Sequence, residues 1–311
     1  MENTILGLHH ITALAGKARK NLEFYTKVLG LRLLKKTVNF DDPGTYHLYY
    51  GDERGSAGTI MTFFPYQGAR QGRPGTGMAT DIAFAVPEGS FRFWQDRFEK
   101  HQVRYSKPAE KFGQPVLAFQ DPDGLKLELV ETGGQDTRKG WETAEVQAKV
   151  ALKGFQGVTL TVKEKRPTAS VLTDIFGYKL REQQGIYHRY ATDAVESANI
   201  IDLVEIPGQE RGLGGAGTNH HIAFRVKNEE VLMQFHDKIA RLGFNITHKI
   251  DRNYFYSLYF REPGGILFEI ATDNPGFGID EPWDKLGSGL LLPPQYEPRR
   301  AEIEAVLPKL D

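Results

Sequence analysis

Cysteine is absent from this chain of 311 residues, which excludes disulfides, thiolate metal sites and a cysteine nucleophile. Any metal must therefore be bound through nitrogen and oxygen. An excess of one charge is also lacking, since 39 basic residues face 40 acidic ones and no basic block occurs, which argues against nucleic-acid or anionic-membrane partners. No apolar run approaches the roughly 20 residues of a membrane span, and no signal peptide is recognisable. We therefore expect a cytoplasmic protein with a small-molecule partner.

The sequence contains internal repeats, which indicate how the chain is organised. The stretch "FQDPDGLKLELVE" at 119–131 matches "FREPGGILFEIAT" at 260–272 in its aromatic residue, its acid-Pro-x-Gly turn and its carboxylate within an alternating strand. Upstream, "TDIAFAV" at 80–86 matches "HHIAFRV" at 220–226 at almost the same offset. Each of these strands is followed by an amphipathic helical stretch and three further strands, and two fainter copies fill the remaining sequence. The sequence therefore predicts four βαβββ modules.

The four modules predict an α+β protein of two domains. The N-terminal domain is expected over 1–135 and the C-terminal domain over 150–275, with two modules each, on either side of a polar linker at 133–150. The segment 276–311 lies outside the repeats and is expected to be a packing arm with a short amphipathic helix.

Two of the modules open with paired histidines, "GLHHITALAG" at 7–16 and "GTNHHIAFRV" at 217–226. With the modules and the "EPGGILFEI" strand, these pairs resemble the vicinal oxygen chelate superfamily, which includes glyoxalases and extradiol dioxygenases. The resemblance covers roughly residues 5–272. It implies half-open β-barrels made from paired modules, with metal ligands on the first and last strands of each module in a pair.

The repeat register indicates which residues occupy those ligand positions. The first-strand positions of modules one to four are His10, Asp81, Gly157 and His221, and the last-strand positions are Thr62, Glu128, Asp202 and Glu269. Only modules one and four supply histidines, so pairing them gives His10, His221 and Glu269, with Thr62 in the fourth position. Modules two and three are expected to form a metal-free structural pocket. Because neighbouring strand residues face opposite sides, the residues alone leave open which histidine of each pair binds.

The closer resemblance is to hydroquinone-type ring-cleaving dioxygenases, and it implies that the second histidine of each pair is the ligand. It also implies pocket roles for five further residues of this chain, namely His9, Thr12, His220, Arg252 and Tyr259. Three other histidines match no ligand position and are expected to be structural, namely His47, His188 and His236. Glu128 and Asp202, which belong to the two modules without histidines, are expected to be structural as well.

Two histidines and one carboxylate form the set that non-haem Fe(II) oxygenases use, with positions left for substrate and oxygen. Mn(II) fits the same ligand types. The resemblance implies that the partners are O2 and an aromatic diol, which is hydroquinone, a substituted hydroquinone or catechol. Only one oxygen of a para-diol can reach the metal, so its second hydroxyl needs hydrogen-bond partners such as His9, Arg252 or Tyr259. The histidine beside the metal, His220 or His9, is suited to transfer the phenolic proton.

Two alternatives remain open. Glyoxalase-type lyases or isomerases use a four-ligand site, commonly with two glutamates, and Thr62 argues against that site because threonine is neither a strong ligand nor a base. A metal-free module that binds an aromatic compound is the second alternative. The oligomeric state is open as well, and exposed strand edges together with the C-terminal arm are compatible with a homodimer.

Overall fold

The computed structural model describes residues 4–134 and 136–310 and contains four βαβββ modules in chain order. Module one comprises β1 (Leu8–Ala15), α1 (Ala18–Glu23), β2 (Arg32–Val38), β3 (Tyr46–Gly51) and β4 (Ile60–Pro65). Module two comprises β5 (Met78–Pro87), α2 (Phe91–Lys100), β6 (Ala109–Lys111), β7 (Gln114–Gln120) and β8 (Lys126–Thr132). Module three comprises β9 (Gly154–Val162), α3 (Lys165–Ser170), β10 (Lys179–Gln184), β11 (Tyr187–Ala191) and β12 (Ile200–Glu205). Module four comprises β13 (Thr218–Val226), α4 (Glu229–Arg241), β14 (Ile250–Asp251), β15 (Phe255–Arg261) and β16 (Leu267–Pro275).

The modules combine into two eight-stranded sheets, each curled into a half-barrel. Modules one and four form the first sheet, in the order β14-β15-β16-β13-β1-β4-β3-β2, and modules two and three form the second, in the order β10-β11-β12-β9-β5-β8-β7-β6. At the centre of each sheet the opening strands of two modules pair antiparallel, β1 with β13 and β5 with β9. The predicted α+β class is confirmed.

The predicted domain ranges do not coincide with the sheets. The ranges 1–135 and 150–275 each contribute half of both sheets, because module one pairs with module four and module two with module three. Neither range completes a sheet from its own strands. The division of the chain into those domains stays a prediction, and its boundary residues Met1, Gln135 and Asp311 lie outside the described residues.

Helix α4 shows how the local sequence fixes these elements. The Asn228 side chain accepts a hydrogen bond from the Val231 amide and so caps the first turn. Three apolar side chains at helical spacing are buried, namely Leu232, Phe235 and Ile239, and the helix packs on β13, β15 and β16. Gly243 then takes a left-handed conformation, with φ of +84°, which lets the chain turn away after the helix.

The C-terminal segment packs along β2 of the first sheet. The Leu291 amide donates to the Lys36 carbonyl, and the ammonium of fully buried Lys35 lies between the carboxylates of Asp280 and Glu281. A short helix, α5 (Arg300–Val306), follows. In the described part of the chain, none of the helices combines the length and apolarity that crossing a bilayer requires.

Candidate metal centre

Three donor side chains converge at the centre of the first sheet. His10 lies on β1, His221 on the adjacent β13 and Glu269 on β16 beyond it. Glu269 Oε2 is 3.1 Å from His10 Nε2 and 2.9 Å from His221 Nε2, and the two Nε2 atoms are 3.4 Å apart. A divalent ion bonded to two donors at about 2.1 Å and at a right angle would hold them about 3.0 Å apart. The triangle therefore has the dimensions of three adjacent coordination positions.

The carboxylate of Glu269 has the environment of a ligand. Its Oε1 accepts a hydrogen bond from Ser257, whereas its buried Oε2 has no donor in hydrogen-bonding geometry among the described residues. Burial opposes ionisation, but His10 and His221 hold the pKa of Glu269 well below its usual range. Burial lowers the pKa of His221. The site thus favours an ionised carboxylate and a neutral imidazole, which are the protonation states that bind metals.

Among residues 4–134 and 136–310, which the structure describes, these three residues form the one group of at least three histidine or acidic donors close enough to share an ion. All three are buried, with exposed fractions of 2% for His10, 6% for His221 and 0% for Glu269. Burial in a half-barrel limits how far the side chains can move and so favours a defined coordination geometry.

Both histidine pairs lie where the β1–β13 ladder shifts register. Leu8 pairs with Phe224 while His10 pairs with Ala223, so His9 is an extra residue in the ladder. His220 is the corresponding extra residue on the other strand, since Thr12 pairs with His221 and Ala13 with Asn219. Such a β-bulge re-aims side chains. The rule that strand neighbours face opposite sides therefore does not hold here, and the two rings of each pair meet.

The contact within each pair is made through Nδ1 atoms. His9 Nδ1 is 2.9 Å from His10 Nδ1, and His220 Nδ1 is 2.7 Å from His221 Nδ1. One nitrogen of each contact must donate and the other accept. If the second histidine donates its Nδ1 proton, its Nε2 carries a free electron pair directed at Glu269 Oε2. The first histidine then orients its neighbour, as hydrogen-bond partners of ligating histidines commonly do.

A cavity of about 460 Å³ is lined by two of the three donors, His10 and His221. This volume falls within the usual range for small-molecule sites, about 300–1,000 Å³. Three of the five predicted pocket residues line it, namely His220, Arg252 and Tyr259. The Arg252 Nε donates to the Tyr259 hydroxyl over 3.3 Å, which leaves the phenolic proton available to a ligand. Burial raises the pKa of Tyr259 well above its usual range, so this hydroxyl stays protonated.

His9 and Thr12 are not among the residues that line this cavity. His9 is 3% exposed, lies behind His10 and hydrogen-bonds to the backbone of Thr272. Thr12 is fully buried, and its hydroxyl is 2.8 Å from that of Thr62. The expectation that His9 contacts the second substrate hydroxyl therefore does not match its position in the structure.

Sequence reasoning missed three polar residues around the site. His47, expected to be structural, lines the cavity together with Tyr49, and its Nε2 lies 2.9 Å from the Thr62 hydroxyl. Ser257 holds the Glu269 carboxylate. Strand alternation was an available signal for Ser257, which precedes the predicted pocket residue Tyr259 by two positions, whereas no sequence signal selected His47 or Tyr49.

In the second sheet, cationic side chains lie beside Glu128 and Asp202, the two carboxylates at the last-strand positions. Lys111 Nζ is 3.4 Å from Glu128 Oε2 and 3.1 Å from Asp202 Oδ2, and Arg189 makes two hydrogen bonds to Asp202. The positive charge that a metal would provide comes here from side chains. Of the other expected structural histidines, His188 lies beside Lys165 and His236 beside Asp237, and neither lines the cavity of the first sheet.

Comparison with known proteins identifies related chains. A family model described as the Glyoxalase/Bleomycin resistance protein/Dioxygenase superfamily matches residues 7–129 and 154–270. The chain is 48% identical over 304 residues to the "Putative ring-cleaving dioxygenase MhqO" of Bacillus subtilis (strain 168), which covers 98% of this chain and 96% of that protein. It is 35% identical to a chlorohydroquinone/hydroquinone 1,2-dioxygenase of Sphingobium indicum, with 96% of this chain and 94% of that protein covered.

A solved structure shows the same fold. The crystal structure of a "putative dioxygenase from Bacillus subtilis subsp. subtilis str. 168" superposes with a TM-score of 0.95 at 47% sequence identity. The match covers 99% of this chain and 98% of that one.

Proposed function

The chain belongs to the Glyoxalase/Bleomycin resistance protein/Dioxygenase superfamily, and from that premise we propose that it is an Fe(II)-dependent, extradiol-type ring-cleaving dioxygenase. It acts on hydroquinone-like or catechol-like aromatic diols and inserts both atoms of O2. The observation that carries the proposal is the buried triangle of His10, His221 and Glu269, two of which, His10 and His221, line a cavity of about 460 Å³. The names of the full-length relatives support the same reaction class.

The metal would be held by His10 Nε2, His221 Nε2 and Glu269. When bound, Fe(II) supplies a Lewis acid that lowers the pKa of a phenol and a redox centre for oxygen. Mn(II) fits the same donors. Thr62 occupies the fourth ligand position, and its hydroxyl is engaged with Thr12 and His47, so the protein leaves coordination positions to substrate and oxygen.

Residues of the chain around the metal position bind the aromatic ring and form hydrogen bonds with its hydroxyls. Tyr259 presents a protonated hydroxyl beside Glu269, its partner in the β15–β16 ladder, and Arg252 orients that hydroxyl. His220 reaches the cavity while contacting His221, so its second ring nitrogen can hydrogen-bond to a substrate oxygen. Burial lowers the pKa of His220 to about 3, which makes it a weak base for the phenolic proton. His9 and Thr12, both buried outside the cavity, act as positioning residues, His9 on the His10 ring and Thr12 on Thr62.

The two alternatives predict different ligand requirements. A glyoxalase-type lyase would need a fourth strong ligand, and Thr62 does not provide one. A metal-free binding module would have no use for a carboxylate whose buried Oε2 lacks a donor between two imidazoles. Turnover of a glutathione hemithioacetal without oxygen would favour the first alternative, and phenol binding without metal or oxygen consumption would favour the second.

Ligand variants with matched controls test the proposal. Glu269→Gln and His221→Ala are expected to lose bound iron and hydroquinone-dependent oxygen uptake. Glu128→Gln, which alters the register-equivalent carboxylate of the second sheet, is expected to keep both. Tyr259→Phe is expected to keep iron and lose turnover. Full oxygen uptake in the two ligand variants would contradict the proposed site.

A homodimer and a cytoplasmic location stay predictions.

A further inference from the structure

The cavity has a second tyrosine in the position that mirrors Tyr259. In module four, Tyr259 pairs with Glu269 across the β15–β16 ladder. In module one, Tyr49 pairs with Thr62 across the β3–β4 ladder, and Thr62 is the register equivalent of Glu269. Tyr49 and Tyr259 are therefore equivalent residues of the two modules, and both line the cavity. Two of the three metal ligands, His221 and Glu269, come from module four, whereas module one supplies His10 and otherwise only uncharged polar groups.

These uncharged groups form a continuous chain of contacts. The Tyr49 hydroxyl is 2.9 Å from His47 Nδ1, His47 Nε2 is 2.9 Å from the Thr62 hydroxyl, and that hydroxyl is 2.8 Å from the hydroxyl of Thr12. The His47 ring also packs between Tyr49 and Phe64, with ring centroids 4.1 and 4.2 Å away. Both ring nitrogens of His47 are occupied, so His47 fixes Tyr49 and does not itself offer a hydrogen bond to a ligand.

The Tyr49 hydroxyl retains one hydrogen-bonding capacity. If Tyr49 donates to His47 Nδ1, its oxygen can accept from a ligand hydroxyl, and if Nδ1 donates, the Tyr49 proton is free for a ligand oxygen. Burial raises the pKa of Tyr49 well above its usual range, so the hydroxyl stays protonated in either case. A buried group with one unused capacity beside a cavity is suited to recognise a hydroxyl.

We propose that Tyr49, oriented by His47, binds the hydroxyl of a para-diol that does not reach the metal, and so favours para-diols over catechols. The inference rests on the proposed function. The ring of Tyr259 packs against His221, at 5.6 Å between centroids, which places it beside the metal ligands. The ring of Tyr49 packs instead against Tyr254 and Phe277, at 5.9 and 5.5 Å. A catechol directs both hydroxyls toward the metal and leaves Tyr49 without a partner.

Ligand binding to the Zn(II)-loaded protein tests this inference without oxygen chemistry, because Zn(II) has no redox activity. The probes are 2-methylhydroquinone, catechol and phenol, each titrated calorimetrically. Tyr49→Phe is expected to weaken binding of 2-methylhydroquinone about three- to tenfold, the effect of one neutral hydrogen bond, and to leave catechol and phenol unchanged. His47→Leu is expected to act in the same direction.

Tyr50→Phe is the matched control. Tyr50 neighbours Tyr49 on β3, is equally buried and donates to Asn21 outside the cavity, so its loss should affect none of the three probes. Equal weakening of all three probes in Tyr49→Phe, or unchanged binding of 2-methylhydroquinone, would overturn the inference. If the expected binding pattern appears but the Fe(II) protein consumes no oxygen, the proposed function fails and the assignment of Tyr49 stands.

Discussion

The hydrogen bond from Ser257 to Glu269 gives the sharpest prediction about the metal centre. Both residues are fully buried, and Ser257 is the donor to Glu269 Oε1. Ser257→Ala removes one oxygen atom and leaves packing almost unchanged, so its effect reports the hydrogen bond to Glu269 together with the contact of the Ser257 hydroxyl with Tyr259. Two consequences are separable, one for the metal-free protein and one for metal affinity.

In the metal-free protein, Oε1 of a buried carboxylate loses its donor, which lowers the free energy of unfolding by about 1–3 kcal/mol. For metal binding, the carboxylate loses the contact that fixes its orientation. Partners of this kind typically change metal affinity 10- to 100-fold, or about 1.4–2.7 kcal/mol. Metal affinity is measured by competition with a chelator, and stability by urea unfolding of the metal-free protein.

Ser90→Ala is the matched control. Ser90 is also buried, at 1% exposure, and donates to the Pro87 carbonyl at the end of β5 in the second sheet. It is expected to change metal affinity little. If Ser257→Ala bound metal as tightly as the wild type, the reasoning that Ser257 orients a ligating Glu269 would be refuted.

Three further predictions concern the protein around the site. Burial lowers the pKa of His9 to about 3 from about 6.5 in an unfolded chain, so the unfolded state binds more protons between those pH values. The free energy of unfolding of the metal-free protein should therefore fall as pH falls through that window, by up to about 1.4 kcal/mol per pH unit from His9. Urea unfolding of His9→Gln should show a weaker dependence of this free energy on pH. Lys111→Met should lower the free energy of unfolding by about 3 kcal/mol, because it removes a cation from half-buried Glu128 and buried Asp202, while metal content stays unchanged. A loss of bound metal in this variant would contradict the separation of the two sheets. Lys35→Met removes the cation between Asp280 and Glu281, so the C-terminal segment should detach and be cleaved faster by proteases after residue 276. An unchanged rate of proteolysis would contradict this role of Lys35.

The repeats carried most of the fold prediction. Because each module repeats one order of elements, aligning "FQDPDGLKLELVE" with "FREPGGILFEIAT" located equivalent strand positions without a structure. The histidine distribution pointed to modules one and four, and the strand order joins those two modules in one sheet. Chain order suggested a different grouping, by halves, because sequence proximity does not reveal which modules share a sheet.

The finer features of the site depend on three-dimensional contacts that residue spacing does not encode. The register shifts at His9 and His220 place neighbouring rings together, against the usual alternation along a strand. His47 has no equivalent histidine in module four, where Ser257 holds the carboxylate, so comparing repeats gave no reason to select it. Lys111 reaches the second-sheet carboxylates from the short strand β6, whose three residues carry no recognisable pattern.

The central claim is tested most directly by measuring oxygen uptake and metal content on one sample of protein reconstituted anaerobically with Fe(II). With 2-methylhydroquinone as substrate, the account predicts roughly one iron per chain and about one O2 consumed per ring cleaved. A preference for catechol in the same assay would keep the metal site and remove the para-diol assignment. One bound metal per chain without oxygen consumption on either diol would contradict the dioxygenase function.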